Sequence, residues 1–327
     1  MRAVVCRRRG DPDVLTLETV ARPQPGPGQI RIAVHAAGVN FADILLIAGK
    51  YQERPAFPFS PGMEAAGTVE ALGPGVAGPP PGTRVLALSE TGAFAEAALA
   101  PAEIVAPIPD EMDFVTAAAL LVTYGTAHGA LVWRADLKPG ELLLVHGAAG
   151  GVGLAAVEVG KALGATVIAT ARGVGRLAVA HDHGADFLID TETEDVRSRV
   201  KDIAGPRGGA DVVFDPVGGD MFDVSLRAAA WGARLVVIGF ASGRIPQIPA
   251  NILLVKNISA IGFYWGSYRR HAPAMLRAQC EALFAWHAAG KIRPHVSHAL
   301  PLERASEALM LLKERRSTGK VVLTVDR

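Results

Sequence analysis

The sequence predicts an α/β protein of two domains, a split and partly open β-barrel and a doubly wound parallel sheet. Three observations lead there. Residues 1–105 are short β-like runs broken by glycine and proline. From residue 141, apolar strand-like runs alternate with helical stretches. The residues after about 265 are too few to make a domain of their own.

In the first region the runs at 30–34, 67–72, 84–88 and 94–99 are punctuated by PGPG at 25–28 and PPPG at 79–82. Strand-like sequence resumes directly after each breaker, which suits tight loops in a compact barrel rather than a linker. The segment 115–132 is apolar and compatible with helix. LLLVH at 142–146 then reads as a strand, 152–163 as a helix, 166–170 as a strand and 176–183 as a helix. Further strand-like runs follow at 187–189, 212–214, 234–238 and 258–262. The continuous apolar character of LLLVH, TVIAT and RLVVIG fits strands covered by helices on both sides. A long helix over 273–289, a helix about 303–314 and a strand at 320–325 remain, and this tail is expected to return and complete the barrel. The expected division is 1–122 with 266–327 for the barrel and 123–265 for the parallel sheet.

Composition narrows the function classes. Half of the 327 residues are hydrophobic, a fifth are charged and the net charge is +1, so a sizeable core is expected. No basic or acidic block argues for nucleic acid. Arg7, Arg8 and Arg9 read as a solvated turn. No run approaches the roughly 20 apolar residues of a membrane span, and MRAVVC is too short for a signal-peptide core. No membrane span and a cytoplasmic location are the expectations. The two cysteines, Cys6 and Cys280, cannot build a disulfide framework or a cysteine-rich zinc site and read as buried thiols. The histidines show no metal spacing, and His181 and His183, near a helix end, read as surface residues.

The segment LLLVHGAAGGVGLAAVEVGKALGATVIATAR carries the strongest signal. Gly150, Gly151 and Gly153, with Val152 between them, lie between a strand and a helix. Glycine there lets backbone approach a pyrophosphate, and the helix N-terminus supplies N–H groups and partial positive charge. The pattern is A-x-G-x-x-G, with Ala148 in place of the first glycine, inside a full strand–loop–helix–strand unit. An NAD site would place Asp or Glu at the end of the second strand. This chain has Arg172 there and Arg176 one helical turn on, and guanidinium groups pair with a 2′-phosphate that a carboxylate would repel. NADPH (NADP+) is the expected cofactor.

The layout resembles the medium-chain dehydrogenase/reductase superfamily over essentially the whole chain. GVNFAD (38–43), PGMEAAG (61–67), HGAAGGVG (146–153), DPVGG (215–219), VVIGFASG (236–243) and NILLVKNISAIGFYWG (251–266) resemble its zinc-free quinone oxidoreductase branch. That resemblance implies a GroES-like barrel and a Rossmann domain. Zinc-dependent members bind metal through a Cys and through the His of a G-H-E motif. The matching positions here are Asn40 and Met63, which are not credible zinc ligands. The resemblance further implies that Asn40 lies beside the nicotinamide end of the cofactor and that Thr126 contacts its phosphate-to-nicotinamide half. It also implies that Val217, Gly218, Phe240, Ala241, Ser242, Phe263 and Tyr264 line the groove, with Tyr51 at the pocket. Leu45 and Thr191 stand where tyrosines are often found. The residues themselves leave other roles open: a helix cap for Asn40, loop support for Asp43, a buried polar partner for Glu64, core packing for Phe263 and Tyr264.

Hydride transfer needs a nicotinamide held against an electrophile with water excluded. A quinone accepts hydride, or a single electron, without a metal or a strongly placed acid, and its anion can take a proton from solvent. The expected activity is NADPH-dependent, metal-independent reduction of quinones or related conjugated carbonyls in a cleft between the domains. Tyr51 is the candidate acid or hydrogen-bond donor. Two other readings stay open: an enoyl-thioester or enone reductase, and a non-catalytic NADPH-binding protein. An apolar run at 258–265, expected at a sheet edge, makes a homodimer the expected assembly.

Overall fold

The computed structural model describes residues 1–326, which form two compact units: 1–122, 268–284 and 294–326 in the first, 123–267 and 285–293 in the second. The tail differs from expectation. Residues 285–293 group with the second unit, because Trp286 packs on His128 and the Arg293 N–H bonds Glu158.

The first unit opens with the antiparallel pair β1 (Arg2–Cys6) and β2 (Leu15–Thr19). The 11-residue β3 (Gln29–Val39) is followed by α1 (Phe41–Ile47), β4 (Glu64–Leu72), β5 (Arg84–Leu88), β6 (Ala97–Pro101), β7 (Val105–Pro107) and α2 (Phe114–Ala118). β3 is the hub of this unit, bonded antiparallel to β4 on one side and to β6 along its first half. Two register shifts against β4 bend it, as a curving sheet requires.

The second unit begins at Thr123, within α3 (Leu121–His128), which runs into a π-helical turn at Gly129–Arg134. Then come β8 (Leu142–His146), α4 (Gly151–Ala162), β9 (Thr166–Ala171), α5 (Val174–Asp182), β10 (Phe187–Asp190), α6 (Val196–Ala204), β11 (Ala210–Asp215), α7 (Asp220–Ala228), β12 (Ala229–Val237), α8 (Ala250–Lys256) and β13 (Ser259–Gly262). All six strands pair in parallel in the order β10-β9-β8-β11-β12-β13. The order reverses beside β8, the switch point where such sheets bind ligands at their carboxyl ends. The predicted apolar runs form its interior: Leu143, Leu144, Val145, Val167, Ile168, Val212, Val213 and Leu235 are fully buried.

The remaining elements are α9 (Tyr268–His271), α10 (Pro273–Ala288), β14 (Val296–Pro301), α11 (Ala305–Lys313) and β15 (Lys320–Thr324). β15 bonds antiparallel to β3, and β14 lies outside it. The returning tail therefore completes the seven-stranded sheet β14-β15-β3-β4-β5-β7, with β6 branching from β3. Cys6 and Cys280 are both buried, and burial pushes the Cys280 thiol up to about 12. Arg7, Arg8 and Arg9 are exposed, Arg7 pairing with Glu18.

Candidate active site

The glycine loop between β8 and α4 is shaped by contacts that exclude side chains. Gly147 has φ +58°, and a Cβ on Gly153 would lie 2.3 Å from the Gly147 carbonyl oxygen. Gly153 thus lets α4 press against the strand end, the third-glycine role of a dinucleotide loop. Gly150 is the N-cap residue, in extended conformation, and Gly151, Val152 and Gly153 form the first turn. N–H groups of a first turn have no partner within the helix, which is what an anion requires.

Beneath the loop, His146 is fully buried and burial lowers its basicity, with the charge of Asp215 opposing. Its Nε2 lies 2.7 Å from Ser225 Oγ, whose hydroxyl donates to the Met221 carbonyl. Ser225 therefore accepts from a neutral imidazole, while Nδ1 faces Thr170 Oγ1 at 2.9 Å.

At the end of β9, Arg172 is exposed, and no hydrogen bond or ion pair engages its side chain among the described residues; Arg176 is half-buried on α5. The loop joining them is pinned from β10, where Asp190 accepts from the Gly173 N–H at 3.1 Å and from the Glu192 N–H at 3.0 Å. These bonds, Glu192 first, hold the Asp190 carboxyl below the usual carboxylate range. A carboxylate does reach this loop, but it comes from the neighbouring strand and is engaged by backbone.

The predicted groove segments of this unit are drawn together. Val217 and Gly218 donate their N–H groups to Asp215 Oδ1 at 2.7 and 2.9 Å. Ala241 N–H bonds Pro216 O and Ser242 N–H bonds Val217 O, zipping 240–242 against 216–218. A Cβ on Gly218 would come within 2.9 Å of the Phe240 ring. Asp215 Oδ2 is buried and unpartnered. Thr126 is buried on α3; Phe263 is buried against Gly129 and Tyr264 is half-buried. A dinucleotide fits this donor set: open glycines, a free helix N-terminus and an unpaired cation at the strand end.

In the first unit, Asn40 N-caps α1 and sits in a buried polar network that sequence reading does not anticipate. Its Nδ2 donates to Glu64 Oε1 at 2.9 Å and to Gly38 O at 3.3 Å, and its Oδ1 accepts from Lys320 Nζ at 2.5 Å. Lys320 also donates to Glu64 Oε1 at 2.5 Å, and Glu64 Oε2 accepts from the Val122 N–H. Asp43 takes the N–H groups of Asn40 and Gly62. Complete burial nevertheless raises its carboxyl to about 7. Asp43 supports the loop and Glu64 partners a buried polar group, as two of the open readings had it. Lys320 was missed because a lysine opening an apolar strand carries no sign of a partner 280 positions away. Met63 is buried beside Glu64, and Tyr51 is half-buried in the coil after Lys50. No group of three or more His, Cys, Asp or Glu side chains is placed to hold a metal ion among the described residues.

One histidine expectation is corrected. His181 is exposed, but the His183 side chain is only 11% exposed and its Nδ1 lies 2.5 Å from Glu158 Oε1. Glu158 is buried in α4 and also accepts from Tyr124 O–H and Arg293 N–H, so the helix end is drawn inward.

A glycine-loop parallel sheet together with a barrel completed by the chain's tail defines the medium-chain dehydrogenase/reductase class. The family model described as alcohol dehydrogenase GroES-like domain matches residues 26–110, and that described as zinc-binding dehydrogenase matches residues 151–279. The quinone oxidoreductase-like protein 2 homolog of Nematostella vectensis is 41% identical over 325 residues, covering 98% of this chain and 88% of its own length. The Escherichia coli quinone oxidoreductase complexed with NADPH superposes with a TM-score of 0.93 at 30% identity, covering 99% of this chain and 100% of that one. A mycobacterial protein complexed with NADPH gives a TM-score of 0.93 at 34% identity over 99% of this chain and 100% of its own. The chain belongs to the quinone oxidoreductase branch of the medium-chain dehydrogenase/reductase superfamily, and it is an oxidoreductase.

Proposed function

We propose that the chain reduces quinones or related conjugated carbonyl compounds with NADPH and without a metal. The observation that carries the reading is Arg172, an exposed cation lacking a partner among the described residues, at the end of β9 in a unit whose glycine loop fits a dinucleotide. The NADPH complexes of two relatives support it. Gly150, Gly151, Val152 and Gly153 take the pyrophosphate, and Arg172 with Arg176 takes the 2′-phosphate. Thr126, Val217, Gly218, Phe240, Ala241, Ser242, Phe263 and Tyr264 line the rest, and Asn40 meets the nicotinamide end.

When bound, NADPH supplies the hydride or the single electron. The chain's own contribution is to bind, orient and shield from water. Tyr51 offers a phenolic O–H to the acceptor's carbonyl oxygen. Asn40 and Met63, at positions that hold zinc ligands in metal-dependent members, support a metal-free reaction. The protein is a homodimer in the cytoplasm on this reading.

NADPH oxidation with benzoquinone, naphthoquinones, simple enones and crotonyl-CoA, each with and without chelator, tests the function. Fastest turnover with quinones, unaffected by chelator, is expected. Turnover confined to crotonyl-CoA, or abolished by chelator, would contradict it, and no turnover with any acceptor would favour a binding protein.

A further inference from the structure

The Asn40 carboxamide is almost saturated. Both Nδ2 hydrogens are engaged, by Glu64 Oε1 and Gly38 O, and Oδ1 already accepts from Lys320. An amide oxygen has two acceptor sites and the NH2 group has two hydrogens. One acceptor lone pair is therefore all that Asn40 has left, and the residue retains 7% exposure.

We propose that Lys320 is a positioning residue that fixes the face of the Asn40 amide, so that Asn40 accepts a hydrogen bond from the nicotinamide half of the cofactor and donates none to the electron acceptor. The inference rests on the reading that Asn40 meets that half. Lys320 is the donor that holds Oδ1 in place. It is 4% exposed, and it neutralises the Glu64 carboxylate to which the amide N–H points. The groups on the nicotinamide half able to donate to a lone pair are the ribose hydroxyls and the carboxamide N–H, whereas a quinone has only acceptor oxygens. Lys320 thereby sets what Asn40 can recognise while touching neither partner.

The test measures dissociation constants for NADPH and for 2′,5′-ADP, which carries the 2′-phosphate but no nicotinamide. Wild type is compared with Asn40→Ala, Lys320→Met and Lys320→Met/Glu64→Gln. The single lysine variant strands a buried carboxylate and can fail to fold. The double variant removes both charges and leaves the amide free to turn. Asn40→Ala and the double variant are each expected to weaken NADPH roughly fivefold to tenfold, the scale of one hydrogen bond, while 2′,5′-ADP changes less than twofold. If Asn40→Ala weakens NADPH and the double variant does not, Lys320 does not position the amide and the inference fails alone. If the double variant weakens both ligands equally, Lys320 is only structural and the inference fails. If Asn40→Ala leaves NADPH unchanged, the reading of Asn40 itself is wrong and the inference falls with it.

Discussion

A neutral imidazole buried among aromatic rings is vulnerable to acid. His128 is 8% exposed, meets Trp133 edge-on at 5.9 Å and tilts toward Trp286 at 5.3 Å. Burial lowers its titration to about 4. Between about 4 and the unperturbed value near 6.5, the unfolded chain therefore binds a proton that the native state refuses. His128 contributes stability that is complete above about 6.5 and lost as pH falls through about 4. Asp43 acts in the opposite sense, since a carboxyl raised to about 7 contributes stability that is lost as pH rises through that value. The difference between His128→Phe and wild type isolates the first effect. The variant should lose less stability in acid, on the order of 2 kcal/mol less between pH 6.5 and 4. Denaturant midpoints across that range check it, and parallel curves for the two proteins would rule it out.

At the scale of elements, the strand–loop–helix unit is where sequence chemistry and geometry coincide. Gly153→Ala puts a Cβ 2.3 Å from a backbone oxygen that cannot swing away, so α4 must retreat from β8. A loss of more than about 1 kcal/mol of stability is expected, with NADPH affinity falling at least tenfold. Gly150→Ala, whose Cβ would stand 3.4 Å from the nearest atom, should cost little stability. Thermal unfolding and cofactor titration of the two variants check this, and equal behaviour would contradict the packing account.

The same contrast explains what was legible. The parallel strands were readable because their central residues, Leu143, Leu144 and Val145, Val167 and Ile168, Val212 and Val213, are apolar and fully buried. β12 was not readable over its first half, where Ala229 and Ala230 are followed by the exposed Trp231 and by Gly232 at φ +77°. Small residues and a positive φ resemble a loop. The π-helical turn at Gly129–Arg134 has no periodicity to betray it. The glycine loop and Arg172 were found because their chemistry is local in sequence. Lys320, Ser225 and Glu158 act through partners on other elements, and no local pattern marks them.

For the whole molecule, the nucleotide sheet ends in β13 as an edge strand. Nearby, Lys256 Nζ bonds Ala229 O and the last carbonyls of α7, which ties α8 to the start of β12. Trp231, Leu254 and Val255 are each at least 75% exposed there. An apolar patch beside an open edge suits a symmetric partner. Light scattering at micromolar concentration should report a dimer, and Leu254→Glu with Val255→Glu should shift it toward monomer without loss of fold. A monomeric wild type would refute the assembly.

The central claim is that this oxidoreductase reads the 2′-phosphate of its cofactor through Arg172. A charge-assisted hydrogen bond contributes about 1.5–3 kcal/mol, and tenfold in affinity is about 1.4 kcal/mol. Dissociation constants for NADPH and NADH, with wild type and Arg172→Ala at fixed ionic strength, test it most directly. Wild type should bind NADPH more tightly, and the substitution should weaken NADPH by roughly one to two powers of ten, nearer one where solvent screens the site, with NADH barely changed. Equal affinity of wild type for the two nucleotides, or an equal loss for both on substitution, would contradict it.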